Sequence, residues 1–172
     1  MRIKKLCLTL TVALVSVGIA SPAVAGGNST HRPMRIDQSF VPWTSPGPTE
    51  ACGFGFEVDS TGSVLATHLG RSKTADVLCL FAEANFTHSG TLTAANGERL
   101  FSSGFGHTGA PNPDGSIPIT ITSTHSGGTG RFAHATGEAT YNGLVFTTTT
   151  TTTTTAAAAG YSSGQVVGWI SY

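Results

Sequence analysis

The chain has 172 residues, with Lys+Arg 9 against Asp+Glu 9, 10% charged residues, 22 glycines and 39% hydrophobic residues, a balance that fits one globular domain. So low a charge density, with Thr, Ser and Gly supplying the polarity, argues against a nucleic-acid partner and against a charge-driven disordered tail.

Arg2, Lys4 and Lys5 precede an apolar run over 6–20 and the small-residue stretch Ser21-Pro22-Ala23-Val24-Ala25. That is the pattern of a secretory signal peptide over 1–25, with Ala23 and Ala25 offering the side chains a signal peptidase accepts. It predicts a secreted, extracellular protein with no membrane association after cleavage. An apolar run of about 15 residues is shorter than the roughly 20 needed to span a bilayer. Cys7 lies too early to be lipid-modified at the cleavage point. Losing the three basic residues of this segment takes the formal charge from 0 to −3.

Residues 26–50 contain Pro33, Pro42, Pro46 and Pro48 and predict an extended N-terminal arm, with Phe40, Val41 and Trp43 as an apolar knot able to pack at a sheet edge. The domain proper is expected over 51–172. Cys52 and Cys79 are the two cysteines beyond the leader. In an exported chain such a pair is most simply a disulfide, and the close Cys-x-x-Cys spacing of a metal site is missing.

Beyond Ala51 the pattern is period-two alternation broken by glycine and Asn-Gly or Asp-Gly pairs, which predicts an all-β antiparallel domain. Phe54, Phe56 and Val58 share a face of a first strand, with a turn at Asp59-Ser60-Thr61-Gly62 and a return over 64–71. One long or two short strands follow over 77–93, then a hairpin at Asn96-Gly97 of type I′. A strand over 99–107, a loop over 109–115 and a strand carrying Ile117, Ile119 and Ile121 come next, with Pro118 demanding a place where no N–H is needed. Gly127-Gly128-Thr129-Gly130 predicts a turn, 131–141 a strand pair, Asn142-Gly143 a further hairpin, and 165–172 a closing strand. The nine threonines at 147–155 and the alanines at 156–159 suit an extended backbone, although identical residues specify register weakly. Seven or eight short strands with a closing one at the C-terminus favour a barrel over a sandwich.

The stretch Gly127-Gly128-Thr129-Gly130-Arg131-Phe132-Ala133-His134-Ala135-Thr136-Gly137 resembles the Gly-Gly-Thr-Gly-x-Phe-x-x-x-x-Gly segment of the allene oxide cyclase barrel. It is closer still to secreted bacterial proteins described as allene-oxide-cyclase-like, and dirigent proteins carry a cousin of it. Ala66-Thr67-His68-Leu69-Gly70-Arg71-Ser72, Gly90-Thr91-Leu92-Thr93-Ala94-Ala95-Asn96-Gly97 and Gly168-Trp169-Ile170-Ser171-Tyr172 also resemble that bacterial group. The resemblance implies an eight-stranded antiparallel β-barrel. It does not carry cyclase activity, because the plant enzyme's catalytic residues do not map onto this sequence one by one. The glycine motif also has a purely structural reading: a tight turn, Phe132 in the core, and Gly137 allowing a close crossing.

Hydrolase, metalloprotease, phosphate-loop and dinucleotide motifs are all missing, and no metal or cofactor is expected. Strand parity places His88 with Phe86 and Leu92, His107 with Phe101 and Phe105, and His125 with the isoleucines, so that these imidazoles could face inward and bind a metal or carry protons, with Glu57 or Glu98 as partners, although each lies near a strand end, where a histidine is usually solvated or caps a turn. Phe54, Phe56, Phe101 and Phe105, with His88 and His107, form the candidate lining of an apolar cup for one small hydrophobic ligand. Asn28-Ser29-Thr30 and Asn85-Phe86-Thr87 are glycosylation sequons in a eukaryotic host. Three functions compete: a non-catalytic exported barrel binding a small apolar ligand or partner, an isomerase or cyclase acting on a lipid-derived substrate, and an interaction protein using its rim. Homo-oligomerisation is compatible with each.

Overall fold

The alternation is realised as eight strands: β1 (Arg32–Pro48), β2 (Phe56–Ala66), β3 (Gly70–Leu80), β4 (Asn85–Ala94), β5 (Arg99–Thr108), β6 (Ile117–Gly128), β7 (Thr136–Thr148) and β8 (Ala158–Ser171). A 3-10 turn, Gly130–Phe132, links β6 to β7. Each strand pairs antiparallel with the next and β8 pairs with β1, closing an up-and-down barrel in the computed structural model, an arrangement that leaves no edge strand to aggregate. The structure describes residues 30–81, 84–148 and 158–172. The signal-peptide segment, Asn28 of the first sequon and residues 149–157 of the threonine and alanine run lie outside the described residues.

The extended arm expected over 26–50 is, from Arg32 onward, a barrel strand. Its prolines are accommodated by irregularity: Pro42 and Pro46 fall in the two breaks of the β1–β2 register, between Asp37 and Trp43 and between Thr44 and Gly47. A missing N–H removes least from the ladder there. β1 also bulges against β8 between Gln38 and Val41, with Phe40 at φ 62°. The bulge re-aims the chain, so that Phe40 turns outward while Val41 is buried, and the expected apolar knot is divided between the two faces.

Two expected turns are not turns. Asp59-Ser60-Thr61-Gly62 runs through β2 and Asn142-Gly143 through β7. The chain reverses instead at 67–69, next to His68 and Gly70 at φ 67° and 68°. Residues 131–141 hold the 3-10 turn and the start of one strand rather than a strand pair. The Asn96-Gly97 hairpin stands where expected but is not type I′: only Gly97 has positive φ, 85°, and its N–H donates to Ala94 O at 2.9 Å, as in a type I turn closed by a glycine bulge. Pro118 is the second residue of β6. Its carbonyl accepts from Gly109 N at 2.8 Å, just past the end of β5, so its lost donor lies beyond the ladder.

One end of the barrel is plugged. Met34, Ala66, Ala94, Leu100, Ile170 and, from the 3-10 turn, Phe132 are packed and almost fully buried there. The glycine motif serves this plug. Gly127 and Gly130 take φ 98° and 59°, and a Cβ at Gly128 would stand 2.9 Å from that of Phe132. At Gly137 a Cβ would stand 2.2 Å from Trp169 O, so the next strand crosses at a distance only glycine permits.

At the opposite end Cys52, in the loop after β1, is bonded to Cys79 near the end of β3, across a sequence separation of 27. Closing a loop of that length stabilises the fold by about 3.5 kcal/mol in the chain-entropy model. A Cys52→Ser, Cys79→Ser double variant is expected to lose about that much in denaturant unfolding, and the wild type to match it once reduced. Equal stability with and without reductant would show that the crosslink does not constrain the unfolded chain.

Candidate functional site

Above the plug the interior opens into a cavity of about 320 Å³, at the lower end of small-molecule sites. Leu78, Leu80, Phe86, Ile119, Ile121 and Val166 make its upper wall. Below them is a polar belt: Ser60, Thr74 and Asp76 from β2 and β3, His88 from β4, Ser102 from β5, and Ser123 and His125 from β6. Threonines and half-buried side chains at the unplugged end, among them Thr108, Ile117 and Thr147, also line it.

The expected lining is corrected in most of its members. Phe54 lies outside the strands, in the turn before β2, and is 78% exposed; Phe56, at the rim, is 58% exposed. Phe101 and Phe105 face outward from β5, with Phe105 71% exposed. His107 shares their face and is exposed. The reason is a conflict over interior space. On β5 the inward positions are Leu100, Ser102, Gly104, Gly106 and Thr108, and a Cβ at Gly106 would stand 2.3 Å from the Phe86 ring. Phe86 reaches across from β4 and uses the room that Gly106 leaves, which forces the alternate, aromatic face of β5 to the outside. His88 and His125 do face inward, and the shared inward face of Ile117, Ile119 and Ile121 continues through Ser123 to His125.

The polar belt is assembled by strand register. His88 is directly opposite Gly104, and Gly104 is opposite Ser123. With no side chain between them, Ser123 Oγ and His88 Nδ1 meet at 3.1 Å across the width of β5. Asp76 is opposite Gly90, where a Cβ would stand 2.4 Å from Asp76 Oδ1 and 2.9 Å from His88 Nε2. That gap lets His88 Nε2 reach Asp76 Oδ1 at 3.2 Å. Thr74 donates to Asp76 Oδ2 at 2.6 Å, and Ser60 donates to the same oxygen at 3.5 Å. The result is a continuous chain from Asp76 through His88 to Ser123. Neither expected acidic partner belongs to it: Glu57 accepts from Thr49 Oγ1, and Glu98 pairs with Arg131 at 3.1 Å. Asp76 was not singled out from the sequence; its signal was the alternation that puts Ser72, Thr74 and Asp76 on one face of β3.

Several buried polar atoms of cavity-lining residues have no well-formed hydrogen bond among the described residues. Both ring nitrogens of His125 and Trp43 Nε1 are buried without a hydrogen bond among the described residues, a condition that costs about 1–3 kcal/mol each unless water or a ligand relieves it, while the Tyr141 hydroxyl has at most a weak contact with Ser162. Burial, reinforced by the neighbouring His88, pushes the His125 imidazole down to about 4. Burial pushes the Tyr141 phenol up, opposed in part by Ser162 and aided by Asp76. At neutral pH the cavity therefore presents a neutral imidazole and a neutral phenol, both able to donate. Among the described residues no group of three or more His, Cys, Asp or Glu could hold a metal ion.

No protein-family model, curated protein or solved structure matches the chain.

His125 titrates at 6.5 in an unfolded chain and at about 4 in the folded one. Between these values the unfolded state binds more protons, so the stabilisation is complete above pH 6.5 and is lost as pH falls toward 4. Denaturant titrations should show a fall approaching about 3 kcal/mol over that window, and His125→Gln should lose most of it. An unchanged pH profile in the variant would place the titrating group elsewhere.

Proposed function

We propose that the protein is an exported β-barrel of the allene-oxide-cyclase-like group that encloses one small, mostly apolar molecule bearing a polar head. The observation that carries this reading is the layered cavity, with its apolar upper wall over a belt containing unpartnered buried polar atoms. Walls of that kind supply affinity through area removed from water, and the belt supplies orientation. The head would point down toward His125, and the tail toward the unplugged end. Asp76 on the belt disfavours a second carboxylate there, so a neutral alcohol, aldehyde or ketone head fits better than an acid. Export is supported by the leader-like residues 1–25 and by the Cys52–Cys79 bond. Membership of the group is supported by the glycine motif and the other quoted segments, together with the closed eight-stranded barrel.

A second reading, a lipid-directed isomerase or cyclase, is favoured by one observation: an imidazole held between a carboxylate and a hydroxyl beneath an apolar wall, a setting suited to moving a proton.

Trp43 lines the cavity, and Trp169 stacks on His31 outside it at 4.0 Å. In a Trp169→Phe variant, Trp43 emission should shift on titration with decanol and require at least ten times more decanoate for the same shift at pH 7. Native mass spectrometry of protein from culture medium, followed by organic extraction, should release a neutral apolar compound. Unchanged emission with both probes and an empty extract would overturn the binding reading.

A further inference from the structure

A serine hydroxyl is a weak nucleophile until a base within hydrogen-bond reach takes its proton, and the base works best when a third group fixes its tautomer. The belt contains that arrangement. Ser123 Oγ lies 3.1 Å from His88 Nδ1, and His88 Nε2 lies 3.2 Å from Asp76 Oδ1. With Asp76 as a carboxylate it can only accept, so Nε2 carries the ring proton and Nδ1 is left as the acceptor for the Ser123 O–H. Asp76 is itself anchored by Thr74 Oγ1 at 2.6 Å. The side chains of His88 and Asp76 are 10% and 17% exposed, and all three residues face the cavity.

The surroundings of Ser123 suit a reacting carbonyl. The residue opposite it on β7 is Ala139, which leaves room beside the hydroxyl. One donor without a partner among the described residues lies beside it by register: His125, two residues further along the same inward face. A neutral donor so placed can stabilise an oxyanion without a charge to desolvate. The strands also invest interior volume in the relay, since both contacts cross positions held empty by glycine, Gly104 and Gly90.

We propose that Ser123 is an activated nucleophile and that the barrel hydrolyses a small carboxylic ester of apolar character. This rests on the proposed reading that the cavity admits an apolar molecule, and goes beyond it in making the site catalytic. Ser123 Oγ attacks the acyl carbon as its proton passes to His88 Nδ1, while Nε2–H stays on Asp76. The C–O bond to the alkoxy group then breaks, His88 returns the proton to the leaving oxygen, and the alcohol departs from an acyl ester on Ser123. Water, giving its proton to His88, attacks that ester; the bond to Oγ breaks, Ser123 regains its proton, and the acid is released. The net reaction is ester plus water to acid plus alcohol, and a carboxylate product so near Asp76 is repelled.

The test uses the full mature protein with two probes. Diisopropyl fluorophosphate should add one phosphoryl group per molecule, mapped to Ser123 by peptide mass spectrometry, and p-nitrophenyl butyrate should give a burst of p-nitrophenol equal to the protein present. Ser123→Ala should abolish both, and Asp76→Asn should lower the labelling rate at least 100-fold. Circular dichroism of each variant checks that the barrel is intact, and His88→Gln serves as the second relay variant if Asp76→Asn does not fold. Labelling elsewhere, or equal labelling and hydrolysis in Ser123→Ala, overturns the proposal. If decanol shifts Trp43 emission but Ser123 is not labelled, the esterase inference fails and the binding reading stands; if neither occurs, both fall.

Discussion

An eight-stranded barrel has an interior about as wide as the side chains that fill it, so each large inward residue requires a neighbour that gives way. In this protein the neighbour is repeatedly glycine. Phe86 lies over Gly106, Trp43 against Gly160, Tyr141 against Gly143 and Gly164, and Val41 against Gly62. The same rule governs the polar belt, where Asp76 and His88 meet at Gly90 and His88 meets Ser123 across Gly104. Interior glycines cost strand stability. At Gly104 the effect is to let residues two strands apart, His88 and Ser123, touch, which no ordinary cross-strand pair can do.

That constraint separates the interior into layers with different physical roles. The plug around Phe132 and Leu100 is dry and tightly packed and supplies stability through apolar burial. The belt works against stability: its hydroxyls and its carboxylate are matched to one another, but His125 buries both ring nitrogens without a hydrogen bond among the described residues. A barrel selected for stability alone would have continued the plug upward. Asp76, His88, Ser123 and His125 are compatible with the fold only because the register pairs them with glycine or with each other, so their presence points to the cavity rather than to the scaffold.

Much of this was legible in the sequence, and the failures share a cause. The parity of β4 and β6, the closing strand, the Asn96-Gly97 hairpin and the cysteine pair follow from local alternation and turn chemistry, which tertiary contacts did not override. Asp59 to Gly62 and Asn142-Gly143 look like turns because glycine next to a small polar residue is the usual turn signal. In this chain Gly62 and Gly143 are spaces for Val41 and Tyr141, and only the folded neighbours reveal it. The aromatic cup failed for the same reason: on β5 the larger side chains occupy one face, yet the glycine face points inward because Phe86 needs it. The proline-rich segment was misjudged because register breaks, invisible in a single sequence, made it tolerable as a strand. Asp76 and Ser123 carried no motif at all, since their proximity depends on the register of four strands.

The outward aromatics then have their own account. Rings excluded from a crowded interior still gain by stacking on one another. Phe40, Tyr161 and Phe146 form such a ladder on the outer surface of β1, β8 and β7, with centroids 4.1 and 4.6 Å apart. These side chains stiffen the wall beside Trp43 and Gly160 without entering the cavity. The division is physical: the inner surface spends its space on a plug and a hydrogen-bonded relay, and the bulk that cannot fit is ordered outside. Because Phe132 packs into the plug at one end, the relay faces the half of the cavity lined by Ile117 and Thr147. A molecule of the proposed kind would therefore meet His88 and Ser123 with the end that lies deepest, which ties the placing of the polar belt to the position of the plug.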